Sequence, residues 1–329
     1  MTIEKVTTVD PVEEINTLVS KALVALDEFR LLNQEQVDNI VEKASAAARD
    51  AARILAQHAN EETGRGVFED KVTKNLFASE NVANYLRGLK TVGIVDKNES
   101  DGLTTIADPV GVVCAMVPTT NPTSTTIFKS LISLKTRNPI IFSFHPAANE
   151  SSKQTARIVR DAAIKAGAPK GCIQFIEQPS LDATNALMKH DGVSIILATG
   201  GSAMVKAAYS CGKPALGVGP GNVPAYVHKD AKLKEAVIDI VLSKSFDNGM
   251  ICASEQAAIV DTEHYEEFIE LMKEHHVYFV NKEEKAKLEE FVFGAKAYSH
   301  NCAGAKLNAD VVGKPATWIA EQAGFKVPA

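Results

Sequence analysis

Five cysteines supply the strongest nucleophilic side chains of this sequence: Cys114, Cys172, Cys211, Cys252 and Cys302. Cys114 and Cys172 fall inside predicted strands, where a thiol is usually a small buried apolar group. Cys252 instead follows the loop sequence Asp-Asn-Gly at 247–249, at a predicted domain junction where pockets tend to form. A loop thiol is a candidate nucleophile, although a single loop cysteine without a histidine partner at a recognisable spacing is more often structural.

Asn121 is a second residue with possible chemistry. It lies in the segment 118–122, Pro-Thr-Thr-Asn-Pro, which links a predicted strand to a helix that runs to about Lys135. Asn before Pro is an ordinary helix N-cap and first-turn pair, and that interpretation explains the two residues without any chemistry. Alternatively, a carboxamide at the end of a strand can donate a hydrogen bond to a developing oxyanion. The local sequence leaves both interpretations open.

Two glycine-rich turns follow later strands. The turn 198–202, Ala-Thr-Gly-Gly-Ser, precedes a helix, and its glycines would let the main chain approach a pyrophosphate at the helix start. A plain turn with Ser202 as the cap explains it equally well. The turn 216–222, Leu-Gly-Val-Gly-Pro-Gly-Asn, would let a flat ligand lie on the main chain, or is a simple tight turn. Neither turn is a full GxGxxG fingerprint.

The surrounding pattern predicts the elements that position these residues. Apolar residues at helical spacing predict helices over 12–29 and 33–55, the second with a capping pair at Asn33 and Gln36. After the polar stretch 96–102, short β-branched runs alternate with helical patterns. The predicted strands are 110–117, 139–144, 172–176, 193–197 and 223–227. This order predicts a Rossmann-like, doubly wound parallel sheet, which binds ligands at the carboxyl ends of its strands.

We place a domain boundary near Asp230. Residues 1–230 then contain the N-terminal helices and the sheet, and residues 231–329 form a second α/β domain that carries Cys252 and stops without a closing element. At 329 residues the chain is long enough for two such domains.

Composition excludes several classes of function. The net charge is −6 and the basic residues are scattered, so we expect no nucleic-acid partner. No apolar run approaches the roughly 20 residues that span a bilayer, and the N-terminus has no signal core, so we expect no membrane segment and no export. The odd number of cysteines and the absence of Cys/His clusters favour a reduced, cytoplasmic compartment and no metal site.

Four segments taken together resemble the CoA-acylating aldehyde dehydrogenase family. They are 117–125 (VPTTNPTST), 198–201 (ATGG), 217–222 (GVGPGN) and 246–256 (FDNGMICASEQ). Each segment is weak evidence alone, but their order and spacing match throughout, and the likeness covers essentially the whole chain. The sequence is most similar to the N-terminal, aldehyde-oxidising half of the fused aldehyde–alcohol dehydrogenases of fermentative bacteria.

The resemblance implies a role for each matching residue. Cys252 would be the thiolate that attacks the aldehyde carbonyl, and Asn121 would hold the oxyanion together with the Cys252 main-chain amide. NAD would bind at seven positions: Val117, Pro118, Thr119, Thr120, Gly201, Ser202 and Gly219. Residues 1–230 would be the NAD-binding domain and 231–329 part of the catalytic domain. Coenzyme A would be the co-substrate that takes the acyl group from the cysteine.

Three departures qualify this likeness. The position of the glutamate that hydrolytic relatives use as a general base matches Gly217, and no carboxylate occurs in 216–222. Without a base to activate water, transfer to a thiol is the expected exit. A lysine that relatives use near the adenosine ribose is replaced by His145, which weakens the choice of NAD over NADP. The family's dehydrogenase unit also continues well beyond Ala329, so we expect a truncated chain.

The implied reaction converts acetaldehyde, NAD and CoA to acetyl-CoA and NADH, reversibly, with homo-oligomers or filaments in the full-length protein. Two alternatives remain open. A hydrolytic aldehyde dehydrogenase would form NADH without CoA. A truncated, inactive nucleotide-binding or filament-assembly module would bind NAD without turnover.

Overall fold

The computed structural model describes residues 10–294 and 305–328, so Cys302 lies outside the described residues. The chain divides into two compact units. The first comprises Met1–Gly64 and Lys71–Pro220, and the second comprises Arg65–Asp70 and Gly221–Ala329. The first unit thus ends at Pro220, earlier in the chain than the predicted boundary near Asp230. The short segment Arg65–Asp70 belongs to the second unit. The functional meaning of the two parts stays a prediction.

The first unit is built on a parallel sheet of five strands, in the order β5-β4-β3-β6-β7. These strands are β3 (Val112–Val117), β4 (Ile140–Phe144), β5 (Ile173–Phe175), β6 (Val193–Thr199) and β7 (Ala215–Val218). An antiparallel hairpin of β1 (Gly93–Asn98) and β2 (Leu103–Ala107) precedes them. The chain runs from β3 outward to β5 and then returns to β6 on the other side, so the direction of winding switches between β3 and β6.

Helices cover both faces of this sheet. They are α1 (Pro11–Arg30), α2 (Gln34–Asp50), α3 (Ala52–Thr63), α4 (Phe68–Leu76), a π-helical turn (Phe77–Asn81), α5 (Val82–Arg87), α6 (Pro122–Lys135), α7 (Asn149–Lys165), α8 (Leu181–Lys189) and α9 (Ser202–Tyr209). Because strand side chains alternate between faces, Val113 and Val117 pack with α2, α6 and α7, whereas Cys114 and Met116 pack with α1, α8 and α9. The predicted doubly wound α/β architecture is confirmed.

The second unit is smaller. Its parallel pair of strands is β8 (Val223–Val227) and β9 (Glu255–Val260), and its helices are α10 (Leu233–Ser245), α11 (Tyr265–Glu274), α12 (Lys282–Phe293) and α13 (Ala316–Gln322). Val227, Val237 and Phe268 are buried in its core, which joins β8 to α10 and α11. The unit therefore has an apolar core of its own.

One predicted strand belongs to a different sheet. Residues 223–227 form a strand as predicted, but β8 pairs with β9 in the second unit. The fifth strand of the main sheet is instead Ala215–Val218, which pairs with β6 inside the segment that was predicted to be a glycine-rich turn. The prediction failed because strand pairing is a non-local property, and a four-residue strand with a glycine carries a weak local signal.

One smaller prediction also needs correction. The helix predicted over 33–55 is two helices separated at Ala51, where φ is −90° and ψ is −1°. Alanine is the best helix former, so the sequence gives no sign of this break. The polar stretch 96–102 forms the end of β1 and the turn of the hairpin. The capping box of Asn33 and Gln36 is confirmed.

Within the part of the chain that the structure describes, every helix is too short or too polar to cross a lipid bilayer.

Candidate active site

The carboxyl ends of three neighbouring strands bring together the residues predicted to bind a dinucleotide. β3 ends at Val117 and is followed by 118–120, β6 is followed by Gly201 and Ser202, and β7 is followed by Gly219. The strands are parallel, with Met116 opposite Ala198 and Thr199 opposite Val218, so these ends lie along one edge of the sheet. This edge includes the switch between β3 and β6, where open α/β sheets bind their ligands.

The glycines at this edge leave the main chain open. A β-carbon added at Gly201 would meet no atom within 4 Å, and one added at Gly219 would meet only Val205, at 3.9 Å. Gly201 occupies the N-cap position of α9 and Ser202 is the first helical residue, so Ser202 is not the cap. The amides at the start of α9 receive no side-chain cap, which leaves them suited to a phosphate group. This cradle fits the pyrophosphate of a dinucleotide.

His145 follows β4 at the same edge, since Phe144 pairs with Val117. Its ring nitrogen Nδ1 accepts a hydrogen bond of 3.1 Å from the Ala147 amide, which makes it the cap of the short 3-10 helix Pro146–Ala148. The structure therefore shows a local capping role for this residue.

Asn121 does not cap the helix that follows it. It occupies the N-cap position of α6, but its side chain accepts no hydrogen bond from the first turn. The side-chain oxygen Oδ1 instead accepts a hydrogen bond of 2.8 Å from Nζ of Lys74, and Nδ2 lies 3.4 Å from Oγ1 of Thr120. The capping interpretation is therefore wrong, because the carboxamide is directed away from the α6 amides and towards α4.

Lys129 is a residue at this edge that the sequence analysis missed. Its side chain is buried under the strand ends, where Nζ donates hydrogen bonds of 2.7 Å to the carbonyl oxygens of Met116 in β3 and Leu197 in β6. Burial lowers the pKa of Lys129 to about 7, against an opposing effect of the nearby Cys114 thiol. The signal that could have revealed it is a lysine in the middle of an otherwise uncharged stretch of α6.

Cys252 is exposed, on the turn between the 3-10 segment Phe246–Gly249 and β9. The other described cysteines differ. Cys114 and Cys172 are fully buried, and burial raises the pKa of each thiol to about 12. Cys211 is half-buried, and its Sγ donates to the carbonyl oxygen of Ala208. Among the described cysteines, Cys252 is thus the most exposed to solvent.

The loop before Cys252 is held by Asp247 and Asn248. Asp247 is fully buried, its Oδ1 accepts from the Val67 amide at 2.7 Å, and its own amide donates to Oδ2 of Asp70 at 2.7 Å. Nδ2 of Asn248 donates to the Gly313 carbonyl at 3.0 Å. Asp247 and Asn248 both have left-handed backbones, with φ of 50° and 52°. Asp and Asn adopt this conformation more readily than other non-glycine residues, and these hydrogen bonds hold the loop in its path.

Gly221 lies against this loop. A β-carbon added to Gly221 would be 2.1 Å from the carbonyl oxygen of Cys252, so no larger residue fits there without moving the main chain. The segment 216–222 was predicted to be a ligand surface or a tight turn, whereas its Gly221 leaves space for the main chain of the Cys252 loop. In the described part of the chain, no group of three or more His, Cys, Asp or Glu side chains is arranged to hold a metal ion.

A sheet of Rossmann-like order with an open glycine edge, in a chain with an exposed loop thiol, has the features of a dinucleotide-dependent oxidoreductase that works through cysteine. The profile of the aldehyde dehydrogenase family matches residues 2–291. The chain belongs to the aldehyde dehydrogenase family.

The chain is 69% identical over 316 residues to an aldehyde-alcohol dehydrogenase of Streptococcus pneumoniae serotype 4 (strain ATCC BAA-334 / TIGR4). This match covers 96% of the chain and 36% of that protein. The chain therefore spans about a third of the length of the aldehyde-alcohol dehydrogenases that it matches.

Two solved structures are similar over almost the whole chain. An acetylating aldehyde dehydrogenase from Geobacillus thermoglucosidasius has a TM-score of 0.89 and 47% identity, over 97% of this chain and 69% of that one. A propionaldehyde dehydrogenase from Rhodopseudomonas palustris, with bound CoA and an acylated cysteine, has a TM-score of 0.83 and 32% identity, over 96% of this chain and 70% of that one.

Proposed function

We propose that this chain carries the CoA-acylating acetaldehyde dehydrogenase activity, in which acetaldehyde, CoA and NAD give acetyl-CoA and NADH. The observation that carries the proposal is the exposed thiol of Cys252, on a loop fixed by Asp247, in a member of the aldehyde dehydrogenase family. The similar propionaldehyde dehydrogenase with an acylated cysteine supports a thioester on this residue.

In the proposed reaction, the thiolate of Cys252 attacks the carbonyl carbon of the aldehyde, and the carbonyl oxygen becomes an oxyanion. Nδ2 of Asn121 and the main-chain amide of Cys252 donate hydrogen bonds to this oxygen. Such donors favour the tetrahedral state over the planar aldehyde, because the negative charge develops only there. Collapse of the oxyanion, with loss of the aldehyde hydrogen as hydride, leaves an acyl thioester on Cys252.

NAD, when bound, supplies the acceptor for that hydride. We assign its binding to the strand ends: Val117, Pro118, Thr119 and Thr120 after β3, Gly201 and Ser202 at the start of α9, and Gly219 after β7. The uncapped amides of α9 would hold the pyrophosphate, and the bare main chain at Gly219 leaves room for a flat ring. The preference for NAD over NADP is part of the proposal.

The thiol of CoA then attacks the thioester and releases acetyl-CoA, which restores the Cys252 thiol. The segment 216–222 contains no carboxylate that could activate a water molecule instead. A thiolate is also a better nucleophile than water towards a thioester. We therefore propose acyl transfer rather than hydrolysis, in a cytoplasmic setting that keeps the thiol reduced.

An absorbance assay of NADH formation tests this proposal. It compares acetaldehyde with and without CoA, on this polypeptide and on a version extended at its C-terminus to the length of the acetylating relatives. We expect NADH formation only when CoA is present. NADH and acetate formed without CoA would show a hydrolytic enzyme, and NAD binding without turnover in either version would show an inactive module.

A further inference from the structure

The contact between Lys74 and Asn121 determines the orientation of the Asn121 carboxamide, that is, which side its oxygen and its nitrogen occupy. Nζ of Lys74 lies 2.8 Å from Oδ1 of Asn121. An ammonium group has only donors, so the atom it contacts has to be the amide oxygen. The Nδ2 group, which carries both hydrogens, is therefore directed away from Lys74, towards the side of Thr120. A flipped amide would place two donors against each other.

We propose that Lys74 is a positioning residue that orients Asn121 for the oxyanion. This inference rests on the proposed function, because it concerns the amide hydrogens that Asn121 would donate. In this proposal, Lys74 acts through Asn121. A hydrogen bond from a cation also polarises the carboxamide, which makes its N–H groups stronger donors.

The rest of α4 supports the same role. Residues 71, 74 and 75 fall three and four positions apart, on one face of the helix. Nζ of Lys71 lies 3.4 Å from the carbonyl oxygen of Thr120, and Lys71 is only 3% exposed. The two lysines thus contact consecutive residues of the loop between β3 and α6.

Asn75 completes this face of the helix. It is fully buried, and its Oδ1 accepts a hydrogen bond of 2.7 Å from Oγ1 of Thr123 in the first turn of α6. Its Nδ2 donates to the carbonyl oxygen of Ala52 at the start of α3, at 2.9 Å. This face of α4 is therefore hydrogen-bonded to the loop between β3 and α6, to α6 itself and to α3. These bonds hold the part of α4 from which the Lys74 side chain reaches Asn121.

A double-mutant cycle tests the proposal in the C-terminally extended chain. We expect Asn121→Ala to lower kcat about 100-fold. Lys74→Met should lower kcat about 10-fold, the scale of a lost hydrogen bond to a charged group, with a smaller change in KM for acetaldehyde. The decisive result is the double variant. If Lys74 acts through Asn121, Lys74→Met should have no further effect in the Asn121→Ala background.

Two outcomes would overturn the inference: an undiminished effect of Lys74→Met when Asn121 is already alanine, or an unchanged kcat in Lys74→Met alone while Asn121→Ala is impaired. An unimpaired Asn121→Ala would instead refute the oxyanion role in the proposed function. Lys43→Met is the matched control, because it makes the same charge change at an exposed position of α2. Thermal unfolding of each variant separates loss of fold from loss of orientation.

A spectroscopic measurement on this chain needs no turnover. The chain is labelled with nitrogen-15 in its asparagine side chains and studied by nuclear magnetic resonance. The side-chain amide signal of Asn121 is identified as the one that is missing in Asn121→Ala. We expect Lys74→Met to shift this signal, and Lys43→Met to leave it in place. An Asn121 signal that is identical in Lys74→Met and the parent protein would refute the orientation by Lys74.

Discussion

Gly221 has no room for a side chain because the main chain of Cys252 occupies that space. An added β-carbon would approach the Cys252 carbonyl oxygen to 2.1 Å, far inside any ordinary contact. The obstructing atom belongs to the backbone, so the clash can be relieved only by moving the loop that carries the thiol. The glycine therefore has a structural task that is tied to the proposed nucleophile.

We expect Gly221→Ala to lower kcat by about 10-fold or more, because even a displacement of about 1 Å in a catalytic group greatly lowers the reaction rate. The rate of Cys252 alkylation by iodoacetamide, measured by mass spectrometry, should change as well. Gly88→Ala is the control, since an added β-carbon at Gly88 would meet nothing within 4 Å. Parent-like turnover and alkylation in Gly221→Ala would contradict the proposed link between this contact and the position of the thiol.

The contrast between exposed and buried thiols gives a second prediction. Cys252→Ala should abolish acyl transfer and leave the stability nearly unchanged. Cys114→Ala should retain acyl transfer and lose about 1 kcal/mol of stability, because its thiol fills space in the core and its raised pKa, about 12, keeps it protonated at neutral pH. Assays at matched folded fractions check this. Equal loss of acyl transfer in the two variants would refute the assignment of Cys252.

Asn121→Ala separates the chemical interpretation of this residue from the capping one. Its side chain makes no cap hydrogen bond with α6, so no N-cap energy is lost in this variant, and any loss of stability should come from the hydrogen bond to Lys74. Turnover should nevertheless fall about 100-fold. Thermal unfolding and steady-state kinetics on the same preparation measure both effects. A variant that keeps the turnover of the parent would refute the oxyanion role of Asn121.

The elements of the fold were largely predictable, but their pairing was not. The apolar runs at β3 and β4 are buried on both faces, and this gives a signal in the local sequence. The partner of 223–227 depends instead on residues 255–260, which no local pattern specifies. For the same reason, a turn is predicted over 216–222, although Ala215–Val218 forms the strand that completes the main sheet.

The candidate site was likewise predictable only where the local sequence carries the information. The exposure of Cys252 follows from its place after Asp-Asn-Gly, and the sheet-edge positions follow from the alternation of strands and helices. The contacts of Lys74 with Asn121 and of Gly221 with Cys252 join residues that lie far apart in the chain. No residue spacing in the sequence predicts either contact, because each depends on how whole helices, strands and loops pack.

Lys129 gives a prediction about pH. Its pKa is about 7 in the folded protein and 10.5 in the reference state, so below pH 7 both states hold the proton and the penalty for burying the ammonium is fully present. Between these values the unfolded chain binds a proton that the folded chain does not. Stability should therefore rise with pH across this window, by at most about 1.4 kcal/mol per pH unit from this group.

Lys129→Met removes this titration, so the stability of the parent relative to the variant should increase between pH 7.5 and 8.5, by about 1 kcal/mol. The thiols of the unfolded chain begin to ionise near the top of this range, but they do so in parent and variant alike, so the difference in stability reports Lys129. Denaturant unfolding should be followed by circular dichroism, because the single tryptophan, Trp318, lies in the second unit and would not report on the sheet. Lys43→Met, at an exposed position, should show no such dependence. If the difference between parent and Lys129→Met is independent of pH, then Lys129 keeps its proton under the strand ends, and the ammonium is held there by the Met116 and Leu197 carbonyls at neutral and mildly alkaline pH.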